Sequence, residues 1–465
     1  MHFGRMKDMG KKAGQIKISQ CMIVKNEEQN IRQALSWGKG VVYEQIVVDT
    51  GSTDNTVQIA EEMGAKVYHF EWCDDFSAAK NYAIEQASGN WIAFLDADEY
   101  FPERDAHRIP GMIKKAESVS LKGARIHMLR SAMYHLNDDG EVFSAGQHDR
   151  IFRNMKGLRY KNRVHEGLSL ANGQTLHCIV TDLSIMHTGY SDSVRSEKGN
   201  RNIPLLKKSV EEDPENYDLW SYLGESYAGS DQAEEAIESM EHVIEHVAEN
   251  ITGPDAPSNT SIKISEDRLF AAFAVWFSAV SFLPDEVISS YEIQAHRYYD
   301  IFTKTGKLFP DVEFYMGRFL IRIGKQDEAV HFLELALEKL ELYKGSASLK
   351  LSGRLDFVYN LLRLCYEQRR DAAKCVYYGT LSLRVNRYQE DTLTALTSLL
   401  QGDPNTAARQ AYDFLARLYQ FDNLKDKLFV LKVSLKLGYS ELADIIKLEM
   451  TEQEKRWLDG QEESV

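Results

Sequence analysis

The sequence predicts an α/β domain with a mostly parallel sheet over residues 16–192, followed by an all-α array of helical repeats over residues 193–465. Three observations carry this. Strand-like apolar runs alternate with helix-forming stretches from Ile16 to about Tyr100. A repeat signature then appears at Trp220–Tyr227, and its glycine-to-alanine spacing recurs at Gly317 and Ala329. Finally, 465 residues are too many for one ordinary core.

The elements follow in order. Ile18–Val24 (ISQCMIV) reads as a short strand, and NEEQNIRQALSW after it as a polar helix-former. Gln45–Val48 is a second strand, stopping at Asp49. In GSTDNTVQIAEEMG, Ser52, Thr53 or Asp54 supplies a helix cap and Gly64 an end. Ala65–His69 is a third strand, Ala78–Ala87 a helix, and Trp91–Leu95 a fourth strand. Such spacing implies parallel pairing with helices on both faces. Ligands of these sheets sit beyond the carboxyl ends of the strands, where Asp49 and Asp96–Asp98 both fall. Residues 102–190 are less regular, with strand-like pieces ARIHML and EVFSAG.

A charged segment, SVRSEKGNR, leads into the second part. WSYLGESY matches the W-x2-L-G-x2-Y pattern of tetratricopeptide repeats, with Ala236 twelve residues after Gly224. Gly317 and Ala329 repeat that spacing. Each unit is a helical hairpin that must stack on a neighbour to bury its apolar face. DAAKCVYYGTLSL and ELADIIKL extend the series in degenerate form, and a polar loop near Asn250–Asp267 interrupts it.

Composition narrows the function. A net charge of −15 argues against nucleic acid or an anionic membrane as main partner. Five scattered cysteines without a CxxC pair suggest neither zinc nor a disulfide framework. The basic N-terminus, residues 1–15, lacks an apolar core and reads as a flexible lead-in. The longest apolar run, Leu269–Leu283, has 15 residues, short of the ~20 of a spanning helix. These features predict a cytoplasmic protein with no transmembrane segment, in which the sequons at Asn250 and Asn259 are coincidental.

The chemistry concentrates in WIAFLDADEYF, where an apolar strand runs into Asp96, Asp98 and Glu99, with Glu103 just beyond. Asp96 and Asp98 share a face if the chain stays extended. Two hard oxygen donors suit Mg2+ or Mn2+, which also takes a substrate's phosphates. An isolated DxD is more often a solvated strand end, because Asp is a common turn residue. Here it shares its level with Asp49. For Trp72 and Phe76, core or pocket-wall packing is expected; His69, His127 and His135 have no supporting context.

IVKNEE (23–28), VVDTGSTDNT (47–56), DDFSAAKN (74–81) and FLDADE (94–99), in this order, resemble a family 2 glycosyltransferase with the nucleotide-sugar-binding GT-A fold. That resemblance implies a UDP-sugar donor, UDP-glucose above all. It places Val24 and Lys25 against the base and ribose, and Asp49 on the uracil N–H. Asp75, Ser77, Lys80 and Asn81 resemble a DFSxxRN motif at the diphosphate, with Lys80 where the family usually carries Arg. Asp96, Ala97 and Asp98 form the DxD, its two carboxylates holding the metal. The segments HDRIFRNMKGLRYKNRVHEGL (148–168) and IMHTGY (185–190) resemble the family's RxFR…VHE and HxGY elements. They imply Glu166 as general base with His165 as rival, and His187 at the metal or diphosphate. Arg150, Arg153 and Arg163 become candidates for anionic groups. The implied reaction is inverting, and a base on the acceptor side is what a single displacement requires.

The order of domains is similar to the cysteine S-glycosyltransferases that modify bacteriocin precursor peptides, over residues 16–245 and more loosely beyond. It implies transfer of a hexose to Cys or Ser of a peptide or protein, and homodimers through the helical parts. The rival acceptor is lipopolysaccharide core or another surface glycan. A non-catalytic repeat scaffold is the alternative from another class, against which the intact Asp49, Asp96, Asp98 and Glu166 argue.

Overall fold

The computed structural model describes residues 15–455 apart from 122, 138, 172, 189–191, 252–263, 346–348 and 404–405. The N-terminal lead-in, the sequon at Asn259, most of the polar loop, and Gly189 and Tyr190 of HxGY therefore lie outside the described residues. The chain divides into two compact units, Met1–Val243 with Lys263–Arg268, and Ile244–Ile262 with Leu269–Val465.

The first unit opens with β1 (Ile18–Val24), α1 (Ile31–Ser36), β2 (Glu44–Asp49), α2 (Thr56–Glu62), β3 (Lys66–His69), α3 (Phe76–Gln86), β4 (Trp91–Phe94) and β5 (Glu99–Tyr100). Then come α4 (Glu103–Ala106), α5 (Ile109–Ser118), a small hairpin of β6 (Ser120–Leu121) and β7 (Ala124–Arg125), and the long strands β8 (Met128–Leu136) and β9 (Val142–Arg153). A second hairpin, β10 (Leu158–Lys161) and β11 (Gly167–Leu170), precedes β12 (Cys178–His187). The main sheet runs β3-β2-β1-β4-β9-β8-β12-β5. This is a mostly parallel arrangement on its β1–β4 side: β1 to β4 pair in parallel, β12 pairs β8 in parallel, and β9 is inserted antiparallel.

Side-chain parity explains the layering. Met22, Val24 and Val47 face α1 and α2, burying Ile31, Leu35 and Ala60. Cys21, Ile46, Val48, Ile92 and Phe94 face the other way, onto Ala83 and Ile84 of α3. Trp91, Ala93 and Leu95 pack on Ile109 and Ile113 of α5. Each large apolar side chain buried this way stabilises the fold by about 1.5–3 kcal/mol before entropy is counted. Residues 102–190, which looked irregular in sequence, supply three of the sheet's eight strands. β8, β9 and β12 carry histidines and arginines facing a cavity, so their period-2 apolar signal is interrupted.

The rest of the first unit is helical: α6 (Asp192–Glu212), α7 (Tyr217–Ala228) and α8 (Ala233–Ile251), the last running into the second unit. The second unit continues with α9 (Glu266–Val280), α10 (Asp285–Ile288), α11 (Glu292–Lys304), α12 (Pro310–Arg322) and α13 (Gln326–Leu342). It closes with α14 (Leu355–Gln368), α15 (Ala372–Val385), α16 (Glu390–Gly402), α17 (Ala408–Leu415), α18 (Leu424–Lys436) and α19 (Ser440–Leu448). The repeat glycines are packing devices. A Cβ on Gly224 of α7 would stand 2.7 Å from Met240, and one on Gly317 of α12 would stand 2.8 Å from Leu333. Gly379 meets Leu396 in the same way at 2.9 Å. Paired helices approach closely only because these positions lack a side chain. The apolar run at Leu269–Leu283 is largely the buried helix α9, with Phe273, Trp276 and Phe277 fully enclosed. Among the described residues no helix is long and apolar enough to cross a membrane.

Candidate active site

β1 and β2 end side by side, and the loops beyond them are tied together. After Val24 the chain turns through Asn26 at φ 58°. Asn26 accepts from the Thr53 N–H at 2.8 Å and donates its own N–H to Ser52 Oγ at 3.0 Å. Glu28 accepts from Asn55 N–H at 3.1 Å, and Asp54 from Glu28 N–H at 3.2 Å and Thr56 N–H at 3.0 Å. Ser52 is thus a loop clasp rather than a helix cap; Asn55 holds the N-cap position of α2 without a side-chain cap bond, and Asp54 takes the Thr56 N–H.

The DADE turn is held from the opposite side. β5 pairs antiparallel with the end of β12, setting His187 opposite Glu99. The Thr188 N–H bonds Asp98 O at 3.0 Å. Ala97 is buried in the layer formed with α1 and α2, between its two aspartates. Asp98 Oδ2 and His187 Nε2 come within 3.1 Å, and His187 Nδ1 lies 2.8 Å from His135 Nδ1.

A cavity of about 630 Å3 opens at these strand ends. Val24, Lys25, Lys80, Asp96, Ala97, Asp98, Arg150, His165, Glu166 and His187 all lie in its wall. A smaller neighbour of about 350 Å3 shares Lys25, Thr50, Trp72, Phe76 and Arg201 with it and adds Asp74, Pro204, Leu205 and Lys208. The rings of Trp72 and Phe76 meet edge to face at 4.8 Å.

Charge in the main cavity is arranged as linked pairs. Buried Lys80 sits 3.4 Å from Asp96 and in close contact with Glu166. Arg150 bonds Asp96 at 2.9 Å and also Glu99, which is almost fully enclosed. Burial alone would raise the Asp96 carboxyl, but Lys80 and Arg150 outweigh it and hold Asp96 well below the usual carboxylate range. Glu99 goes the other way: burial raises it, and Arg150 offsets only part of that. Burial would lower Lys80, yet Asp96 and Glu166 keep it firmly protonated. His148, enclosed beside Arg150, His135 and His187, is pushed down to about 4 and stays neutral.

Residues 19–127 match the model described as Glycosyl transferase family 2. That stretch of the chain is similar to a family 2 glycosyltransferase domain. The chain is 33% identical over 226 residues to a TPR repeat-containing protein of Synechococcus elongatus, covering 46% of this chain and 52% of that protein. It is 29% identical over 227 residues to the SPbeta prophage-derived glycosyltransferase SunS of Bacillus subtilis, covering 48% and 52%. The chain therefore spans about half the length of these curated relatives. Among solved structures it is similar to S. aureus TarS 1-349 in complex with UDP-GlcNAc, at 15% identity and a TM-score of 0.31, covering 67% of this chain and 93% of that one.

Several residues expected to touch the donor are engaged elsewhere. Asp49 lies outside the cavity wall: its oxygens accept from Gly51 N–H at 3.2 Å and Ser52 N–H at 3.0 Å, with His69 Nδ1 at 3.4 Å. Burial would raise its pKa, but the bonds from Ser52, Gly51 and His69 prevail and lower it. Asp75 caps α3 through the Ala78 N–H at 2.9 Å. Ser77 donates to Asn162 O at 2.5 Å, and Asn81 bonds both the N–H and the carbonyl of Tyr160, at 2.9 and 3.0 Å. The DFSxxKN stretch is thus a clasp: α3 grips the 160–163 segment and carries Lys80 to Glu166. Arg163 forks onto Glu212 of α6 at 2.8 and 3.1 Å, away from the cavity. Arg153 bonds Ile126 O at 2.7 Å and Glu117 at 3.1 Å beneath the sheet.

The two rivals for the base are separated by the backbone. His165 adopts φ 52° and stacks flat on Tyr222 of α7, centroids 3.9 Å apart, with burial lowering its pKa. Glu166 faces Lys80, and its side chain retains 15% exposure to the cavity.

The expected metal trio is only partly assembled. Asp98 and His187 are spaced like neighbouring ligands of an octahedral ion, for which bonds of about 2.1 Å put adjacent donors about 3 Å apart. Asp96 is turned to Lys80 and Arg150 instead, and among the described residues no three His, Cys, Asp or Glu side chains group as a metal site. Two protein donors plus substrate phosphates still fit Mg2+ or Mn2+. Sequence reasoning assigned Glu99 and His135 no role and did not single out His148 or Arg201. His135 carries no motif; only the register of β12 on β8 sets it beside His187.

Proposed function

We propose that this chain is a metal-dependent inverting glycosyltransferase that moves a hexose from a UDP-sugar to a Cys or Ser side chain of a peptide or protein. The observation that carries the reading is the gathering of Asp96, Asp98, His187 and Glu166 around one cavity at the carboxyl ends of β1 and β4. Ligands of open α/β sheets bind at such ends.

Trp72, Phe76, Thr50 and Lys25 suit the nucleoside, with an aromatic wall for the base. Asp98 and His187 would hold the divalent cation, which when bound supplies Lewis-acid stabilisation of the leaving diphosphate. Glu166 accepts the proton of the acceptor thiol or hydroxyl. The freed sulfur or oxygen bonds to the anomeric carbon as the bond from that carbon to the β-phosphate oxygen breaks, its electron pair departing with the nucleoside diphosphate. Lys80 pairs with Glu166 and fixes the position of its carboxylate in the cavity wall. One carboxylate serving one displacement is consistent with inversion. The helical repeats are assigned to acceptor binding and self-association, since stacked repeats present extended binding surfaces.

UDP-sugar turnover with Mn2+ or Mg2+ tests the enzyme reading. Loss of turnover on chelation and in Asp98→Ala is expected; turnover indifferent to both overturns it. Intact-mass measurement on Cys- and Ser-containing peptides tests the acceptor. A hexose-sized gain on the peptide supports the proposal, and gain only on a lipid-linked glycan replaces it.

A further inference from the structure

We propose that Arg201, on the helix that follows the sheet, binds the diphosphate of the nucleotide donor; this rests on the UDP-sugar reading above. Lys80 and Arg150 are the cations nearest the DxD, but both are committed to carboxylates: Lys80 to Asp96 and Glu166, Arg150 to Asp96 and Glu99. A diphosphate entering there would have to compete with those acids for each cation.

Arg201 is differently placed. It lines both cavities, at the boundary between the aromatic subsite and the acidic one, where a diphosphate joins nucleoside to sugar. Its guanidinium stacks over the Phe76 ring at 5.0 Å to the centroid. Among the described residues its bond is to the neighbouring Asn202, at 3.3 Å, and it forms no ion pair. Stacking fixes the plane of a guanidinium and leaves its edge donors for an anion. Glu166, Asp96, Asp98 and Glu27 all bear on its charge from within the same cavity without bonding it. Lys25 also lines both cavities, but an ammonium on a flexible stem lacks the planar fork that matches a phosphate edge. The consequence is that a helix outside the strand–helix repeat completes the donor site, which no motif in residues 16–100 discloses.

The test is calorimetric titration of the full chain with UDP and with uridine, in the presence of Mn2+. In Arg201→Ala, UDP should bind about 10- to 100-fold more weakly, as for loss of a charge-assisted pair, while uridine is unchanged. Arg201→Lys should recover part of the loss. UDP affinity within about twofold of the parent overturns the assignment, and so does parallel weakening of UDP and uridine, which would mark a merely structural role. A parent protein that binds neither ligand overturns the donor reading itself, and this one with it.

Discussion

Lys80→Met removes one charge from the centre of the site while nearly keeping the side chain's length. Lys80 is buried and lies 3.4 Å from Asp96, with Glu166 closer still. At that distance and an effective dielectric of about 20, the attraction to Asp96 alone is about 5 kcal/mol. Asp96 keeps 39% of its side chain exposed and retains Arg150, so part of this is screened or replaced. Glu166, at 15% exposure, is the partner left stranded. Breaking a buried pair on one side costs about 3–5 kcal/mol, and the lower end is expected here.

The pH dependence identifies the cause. Asp96 is depressed in the fold, so its contribution is present above the ordinary carboxylate value and lost as pH falls through the folded one. Lys80 is raised, so its contribution holds below the ordinary lysine value and fades only as pH rises through the folded one. The difference between parent and variant should therefore be full at neutral pH and shrink below about pH 4, where Asp and Glu ordinarily take up protons. Urea unfolding followed by tryptophan fluorescence at neutral and acid pH measures it. A loss below about 1 kcal/mol, or one equal at both pH values, would show that the cation neutralises nothing, and the ion-pair account of the site would fail.

Glu166→Gln should lower kcat by about 100- to 10,000-fold with UDP affinity unchanged, read by turnover and calorimetry; a matching loss in His165→Gln alone would move the base to His165. Gly317→Ala should cost about 1–3 kcal/mol in thermal or urea unfolding, because the added carbon meets Leu333 at 2.8 Å and one side chain must leave its rotamer. Asp49 is depressed, so it stabilises the fold above its ordinary value and that stabilisation is lost as pH falls through the folded one. Asp49→Asn should accordingly flatten the acid limb of stability; unchanged acid unfolding would show that the turn around Gly51 and Ser52 does not depend on the carboxylate.

Local periodicity and short motifs determined a good deal. β1 was legible to the residue, because its apolar CMIV run ends at a polar turn. The repeat glycines were legible too, since Gly224 and Gly317 answer to the close approach of two helices adjacent in sequence. Asp96, Asp98, Glu166 and His187 were found by motif, and the fold brings all four to one cavity. What only the tertiary structure decided is which partner each charge takes. Asp49 and Asp75 spend their oxygens on nearby N–H groups, and Arg163 crosses to Glu212, 49 residues on. His135 reaches His187 through strand register, and Arg201 returns from α6 to the cavity wall. A motif records that a charged side chain stands at a strand end. Pairing depends on distances between elements far apart in sequence, and no local spacing encodes those.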